Sequence, residues 1–148
     1  MSRKREKGSC LCGGVVFEVA FPSRFCSHCH CSNCRKAHGA AFVTYLGVPE
    51  GRLKVLSGVR LLSAYTYGYG VGGKRVVSTR TFCRRCGSTV FFSSTRWPGE
   101  THVALACLDG EPDKEPAFHF YYDKRPSWSE VRDKLPKYGG PTGGKRLE

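Results

Sequence analysis

The chain is 148 residues long, ordinary for one domain and sufficient to bury a core without depending on cross-links alone. No apolar run approaches the ~18 residues that a membrane-spanning helix needs, which excludes that role and predicts a soluble protein. The formal charge of +12 favours attraction to anions in general without specifying any one of them.

The start, MSRKREKGSC, is charged but has no apolar stretch behind it to serve as a secretion signal, so the expected location is the cytoplasm. Residues 1–8 are expected to form a basic tail and 9–138 a single domain. Within that domain, short segments rich in β-branched and aromatic residues, divided by Gly, Pro and Ser, predict a predominantly β structure. Gly14–Ala20 alternates Val15, Phe17 and Val19 on one face. Ser32 is placed to cap a helical turn through Cys34 to His38, with Gly39 as its left-handed stop. Ala41–Val48, Arg52–Leu56, Lys74–Phe82, Thr89–Phe92, Thr101–Leu108 and Ala117–Tyr122 complete the predicted strands. The run Tyr65-Thr-Tyr-Gly-Tyr-Gly-Val-Gly-Gly reads as a loop or hairpin packing its own rings rather than a stacking platform for bases. Ser127-Trp128-Ser129-Glu130 is a capping-box pattern that predicts a second short helix ending before Pro136. Residues 139–148, rich in Gly, Pro and Lys, are expected to be a disordered tail, part of which, Leu147-Glu148, has the form of an expression-tag scar.

The nine cysteines carry the functional reading. An odd count, C-x-C and C-x-x-C spacings and no export signal favour metal thiolates over disulfides. Cys10-x-Cys12 and Cys83-x-x-Cys86, the latter followed by Gly87, would supply the four thiolates of a closed structural zinc site. Cys29, Cys31 and Cys34 form a different set, because three protein ligands with one position open are the pattern of a catalytic zinc. Such a site can activate a thiol or orient a carbonyl for attack. A helix starting at Ser32 would also place Cys34 where backbone N–H groups and the helix dipole favour a thiolate. The alternative is a closed shell with Cys26, His28 or His30 as fourth ligand, although an extended 25–30 segment would turn Cys26 and His28 away from Cys29. Zinc is preferred to iron because no redox or cluster context accompanies the thiols. Seven ligand thiolates and two Zn²⁺ would bring the net charge to about +9.

The other polar residues speak less directly. His38, His102 and His119 each stand among apolar neighbours and read as packed, hydrogen-bonded side chains. Cys107, in an apolar run, reads as a small buried hydrophobe. Arg35, Arg84 and Arg85, beside or between the cysteines, either balance thiolate charge or attract an anionic substrate.

GSCLCGGVVFEV, CHCSNCRKAHGAAF, TFCRRCGSTVFF, HVALACLDG and AFHFYYDKRPSW together resemble the family of the glutathione-dependent formaldehyde-activating enzyme and centromere protein V. The resemblance covers most of the chain. It implies a small zinc-stapled β-tent with one or two short helices. It also implies a structural zinc on Cys10, Cys12, Cys83 and Cys86, and a second zinc, implicated in catalysis, on Cys29, Cys31 and Cys34. The implied activity is that of a carbon–sulfur lyase, adding glutathione to formaldehyde to give S-hydroxymethylglutathione through thiolate capture at the three-cysteine zinc. Its partners would be a small thiol and an aldehyde, with no membrane. The competing reading is a non-catalytic two-zinc module binding chromatin or nucleic acid, for which the sequence offers basic termini but no basic and aromatic groove.

Overall fold

Alternation of large apolar residues is what drives the first sheet: Val15, Phe17 and Val19 are all completely buried. The computed structural model describes residues 3–147. In chain order these form β1 (Arg5–Ser9), β2 (Val16–Ala20), β3 (Phe25–Cys29), α1 (Ser32–His38), β4 (Val43–Pro49), β5 (Leu53–Ser57), β6 (Leu62–Val71), β7 (Lys74–Cys83), β8 (Thr89–Ser94), β9 (Glu100–Ala104), β10 (His119–Phe120), β11 (Tyr138–Gly139) and β12 (Lys145–Arg146). Short 3₁₀ turns occupy Val59–Leu61, Leu105–Cys107 and Tyr122–Lys124. The expected mainly β, cysteine-bearing sheet assembly is therefore what the chain forms, with one α-helix among the described residues.

Three strands associate in the order β1-β2-β5, and seven in the order β10-β3-β4-β9-β8-β7-β6. The larger sheet is antiparallel except for the β10–β3 pair. Its two faces bury different things. One face packs Cys26, Leu46, Val48, Phe91 and Val103 against Val15, Phe17 and Val19 of the smaller sheet, with Phe17 edge-on to Phe91 at 5.1 Å. A fully buried Phe such as Phe17 contributes about 2–3 kcal/mol to holding the two sheets together. The other face gathers Cys29, Cys34, Val43, Tyr45 and Phe92. Because side chains alternate along each strand, the register lines up one row on this face: Phe25, Gly47, His102, Phe92, Arg80 and Tyr65 stand opposite one another across six strands. Four of these, Phe25, His102, Phe92 and Arg80, line the cavity described below.

Several expectations need correction. The basic tail expected over 1–8 does not run that far: Arg5–Ser9 is β1, paired along its whole length with β2, while Met1 and Ser2 lie outside the described residues. The 139–148 segment, expected to be disordered, contributes to the β11–β12 hairpin, with Gly140 N–H donating to Asp123 Oδ2 at 2.9 Å and Leu147 N–H to the Lys137 carbonyl at 2.9 Å. Glu148 lies outside the described residues. Side-chain anchoring from Asp123 overrides the flexible composition. No helix forms over 127–135, where the chain makes a turn and then runs irregularly. Here Tyr122 exchanges hydrogen bonds with Val131 N–H and C=O, tying the backbone out of helical pairing. The expected strand Thr101–Leu108 breaks into a 3₁₀ turn after Ala104, and Ala117–Tyr122 reduces to the two residues of β10. The tyrosine run is strand β6 of a hairpin with β7, so the period-2 Tyr/Gly alternation was a strand signal. Tyr65 on Tyr67 and Tyr67 on Tyr69 stack at 5.4 and 5.5 Å, the self-packing expected of it.

Candidate metal centres and cavity

Two groups of sulfur atoms converge, each with its ligand atoms within 4.8 Å of one another: Cys10, Cys12, Cys83 and Cys86 in one, Cys29, Cys31 and Cys34 in the other. These are the two sets read from the sequence. The first joins the turn after β1 to the turn after β7. Gly87, at φ +81°, closes the second turn by donating its N–H to the Cys83 carbonyl at 2.7 Å, a conformation that a side chain would strain. Sulfur separations are 3.5 Å for Cys10–Cys12 and 3.8 Å for Cys12–Cys83. Donors are aimed at these sulfurs: Val15 N–H at Cys10 Sγ (3.3 Å) and Arg85 Nε at Cys12 Sγ (3.3 Å). Ser88 hydroxyl and backbone groups, with a Cys12 backbone contact, lower the Cys86 thiol to about 5. Ser88 Oγ also accepts from Leu11 N–H at 2.9 Å, fastening one cysteine loop to the other.

The second group sits where β3 passes into α1. Cys29 ends the strand, and Cys31, not Ser32, is the helix N-cap: its sulfur accepts the Cys34 N–H at 3.4 Å. A sulfur replaces the expected hydroxyl because the chain needs Cys31 turned back over the first helical turn. Gly39 ends α1 in the left-handed conformation, as expected. Cys34 is buried and held by Tyr45, whose hydroxyl donates to its sulfur at 3.4 Å, and by Arg80 Nη2 at 3.4 Å. Arg80 completes a fork, with Nη1 on Tyr45 Oη at 3.1 Å and Nε on Tyr67 Oη at 2.9 Å, while its guanidinium lies 4.6 Å over the Phe92 ring. Hydrogen bonds from Cys29 and Cys31, joined by the Arg80 charge and Tyr45 and opposed by burial, hold Cys34 well below the usual thiol range. Burial, and then the Cys34 charge, raise Tyr45 well above the usual phenol range, keeping it a donor.

Cys26, one candidate to close this shell, is on the opposite face of β3 in the apolar core, where burial and then the charge of Asp113 push its thiol up to about 11. His28 bonds Thr44 (2.7 Å) and His30 Nε2 bonds His119 Nδ1 (2.8 Å), so neither imidazole joins the sulfur group. Three sulfurs, without a fourth protein ligand among the described residues, are the donor set of an open site. The thiolate-stabilising donors and the converging sulfurs of both groups fit zinc.

These sulfurs open into a cavity of about 350 Å³. Its walls include Ser27, Tyr45, Arg80, Phe92, Trp97 and His102, and its rim Asn33, Arg96, Tyr121, Lys124 and Pro141. Arg96 stacks over Trp97 at 4.6 Å, donates to Tyr121 Oη at 3.0 Å and also to the Thr142 carbonyl. Arg35 donates to the His30 and Lys124 carbonyls, bracing the loop, and makes no contact with sulfur. Arg85, in contrast, does meet a sulfur as anticipated. Of the histidines read as packed, His119 is fully buried between His30 and Asp133, and His38 lies against Tyr45. Cys107 is only half-buried, in a 3₁₀ turn against the core. Sequence reading missed Tyr45, Arg80, Trp97 and the cavity position of His102; the signal for Arg80 was its place on the buried parity of β7 after Val76 and Ser78.

Residues 5–124 match the family model described as glutathione-dependent formaldehyde-activating enzyme. The chain belongs to that family. A Halomonas elongata protein provisionally named glutathione-dependent formaldehyde-activating enzyme is 30% identical over 131 residues, covering 86% of this chain and 82% of the relative. A protein of Schizosaccharomyces pombe named an uncharacterized lyase is 22% identical over 121 residues, covering 72% of this chain and 81% of its own. The crystal structure of a Rhodobacter sphaeroides protein superposes with a TM-score of 0.55 at 29% identity, over 72% of this chain and 91% of that one. The family match ends at Lys124, so Pro141, which lines the cavity, and the Thr142 carbonyl that receives Arg96 come from outside the matched region. Among the described residues no helix is long and apolar enough to cross a membrane.

Proposed function

We propose that this formaldehyde-activating family member is a carbon–sulfur lyase-type enzyme that adds a small thiol, glutathione or one like it, to an aldehyde such as formaldehyde. The observation that carries this reading is the three-sulfur group of Cys29, Cys31 and Cys34 opening into a cavity with a cationic and aromatic lining. Cys10, Cys12, Cys83 and Cys86 would hold a structural zinc, and Cys29, Cys31 and Cys34 a second one. At the second site zinc would supply an open coordination position that lowers the pKa of a substrate thiol. The chain's own residues do the rest. Arg80 and Tyr45 offset negative charge at Cys34, and Lys124 and Arg96 at the rim suit an anionic substrate. Trp97, Phe92 and Phe120 line a cavity of limited volume, keeping bulk water from the carbonyl carbon. Free thiols in this number suit a reducing compartment such as the cytoplasm. A nucleic-acid role gains nothing from the tyrosine ladder, since Tyr67 is stacked on both faces and Arg80 beneath it is turned inward.

Exchange between free and hydroxymethylated glutathione, followed by NMR at equilibrium, tests the reading. The zinc-loaded protein should accelerate exchange over the uncatalysed rate, and Cys31→Ser should return it to that rate while the variant stays folded. No acceleration by protein carrying two zincs would sink the proposal.

A further inference from the structure

The cavity that the cysteines share carries a further group that the sulfur chemistry leaves without a task. His102 lies in the middle of β9 and is 6% exposed, yet it lines the cavity. Its Nε2 stands 2.9 Å from Glu100 Oε1, and the other carboxylate oxygen accepts from Arg24 Nη1 at 2.8 Å. An ionised carboxylate only accepts, so Nε2 carries a proton, and in its neutral form the ring presents Nδ1 as a lone pair. No described residue makes a hydrogen bond to Nδ1, and the residue that carries it lines the cavity.

The ring cannot turn. Phe25 meets it edge-on at 5.0 Å and 89°, with Trp97 at 5.1 Å, Phe92 at 5.4 Å and Tyr45 at 5.9 Å. Gly47, opposite both Phe25 and His102, makes this enclosure possible: a Cβ there would lie 2.2 Å from the Phe25 ring. The charged and titratable groups around His102 are Glu100 on its own strand, Tyr45 on β4, Arg80 on β7 beyond Phe92, Arg96 beyond Trp97, and Arg24 behind Glu100. A packed structural histidine has no need of an oriented carboxylate on one nitrogen and a free lone pair on the other.

We propose that His102, oriented by Glu100, is the catalytic residue that carries the proton between thiol and carbonyl oxygen; this rests on the thiol–aldehyde reading above. The thiol proton passes to Nδ1, and the sulfur electron pair forms the S–C bond. The carbonyl π pair moves onto oxygen, which takes the proton from Nδ1. The ring ends neutral and no further reactant is consumed. In the reverse direction the same nitrogen removes the hydroxyl proton and returns one to sulfur. Glu100 is a positioning residue, since it acts through the ring.

The test uses the full, zinc-loaded chain. His102→Asn should slow glutathione–formaldehyde exchange about 100-fold with zinc content and glutathione affinity unchanged, and added imidazole should restore part of the rate. Calorimetric titration with glutathione near pH 7.5, in buffers of different ionisation enthalpy, supplies a readout apart from turnover. His102→Asn should release about one more proton per site than the wild type, because the thiol proton no longer stays on the ring. Glu100→Gln, which keeps the ring and its shape, should slow exchange about tenfold and displace the pH–rate profile. Wild-type exchange and proton release in His102→Asn would overturn the assignment, as would a rate loss that tracks lost zinc and resists imidazole. If the wild type itself accelerated nothing, the thiol–aldehyde reading would fall first and this one with it.

Discussion

Glu100 shows how a single surface-derived carboxylate is drawn into the interior and used. Its side chain is 8% exposed, with His102 on one oxygen and Arg24 on the other. The hydrogen bond from His102, together with Arg24 and against the cost of burial, lowers its pKa below the ordinary value of 4.5. A carboxylate whose folded pKa is depressed lends stability that is complete above its unfolded pKa and is lost as pH falls through the folded one. Glu100→Gln should therefore cost about 1 kcal/mol at neutral pH, and the gap to wild type should close below pH 4.5. Urea denaturation across pH 3–7 reads this directly; a gap that persisted unchanged at the acid end would mean that the carboxylate charge is not what matters.

Among the elements, β7 does two jobs within four residues. Arg80 points into the cavity and ties Tyr45, Tyr67 and Cys34 together, while Cys83 at the strand end enters the other sulfur group. Burying a guanidinium is costly unless every donor is met, and here three of its nitrogens are. Arg80→Met would remove the guanidinium hydrogen bond to Cys34 and leave the two phenols without their shared donor. The expected loss is about 3 kcal/mol in zinc-loaded protein, read from the urea midpoint. A loss near zero would show that solvent reaches this face and screens it.

For the whole molecule, the two sulfur groups divide the labour between fold and chemistry. Cys10 and Cys12 follow the first strand, Cys83 ends the seventh and Cys86 follows it, and the group pins the small sheet to the large one. Metal binding at a closed thiolate site is worth about 10–16 kcal/mol, comparable with the entire stability of a domain. Cys83→Ser is thus expected to abolish cooperative folding. Cys31→Ser should keep a sharp thermal transition and one zinc per chain, because β3 and α1 retain their strand pairing and packing. Equal loss of fold in both variants, by circular dichroism and zinc content, would refute this division.

What the amino-acid sequence determined by itself was local. The two cysteine sets, the glycine stops at Gly39 and Gly87 and most strands were legible, because C-x-C and C-x-x-C spacing and two-residue alternation are written in consecutive residues. The separation of Cys26 from Cys29 also followed from alternation alone. Strand β1 was hidden by its charges, because REKGS satisfies a ladder with backbone groups while its side chains stay largely in water. The missing helix after Ser127 and the ordered 138–147 segment were decided by single distant partners, Tyr122 and Asp123. The cavity itself was a tertiary matter. Its row from Phe25 through His102 to Arg80 exists only because the β3-β4-β9-β8-β7 register brings residues from five strands side by side, and register depends on contacts that no local pattern contains.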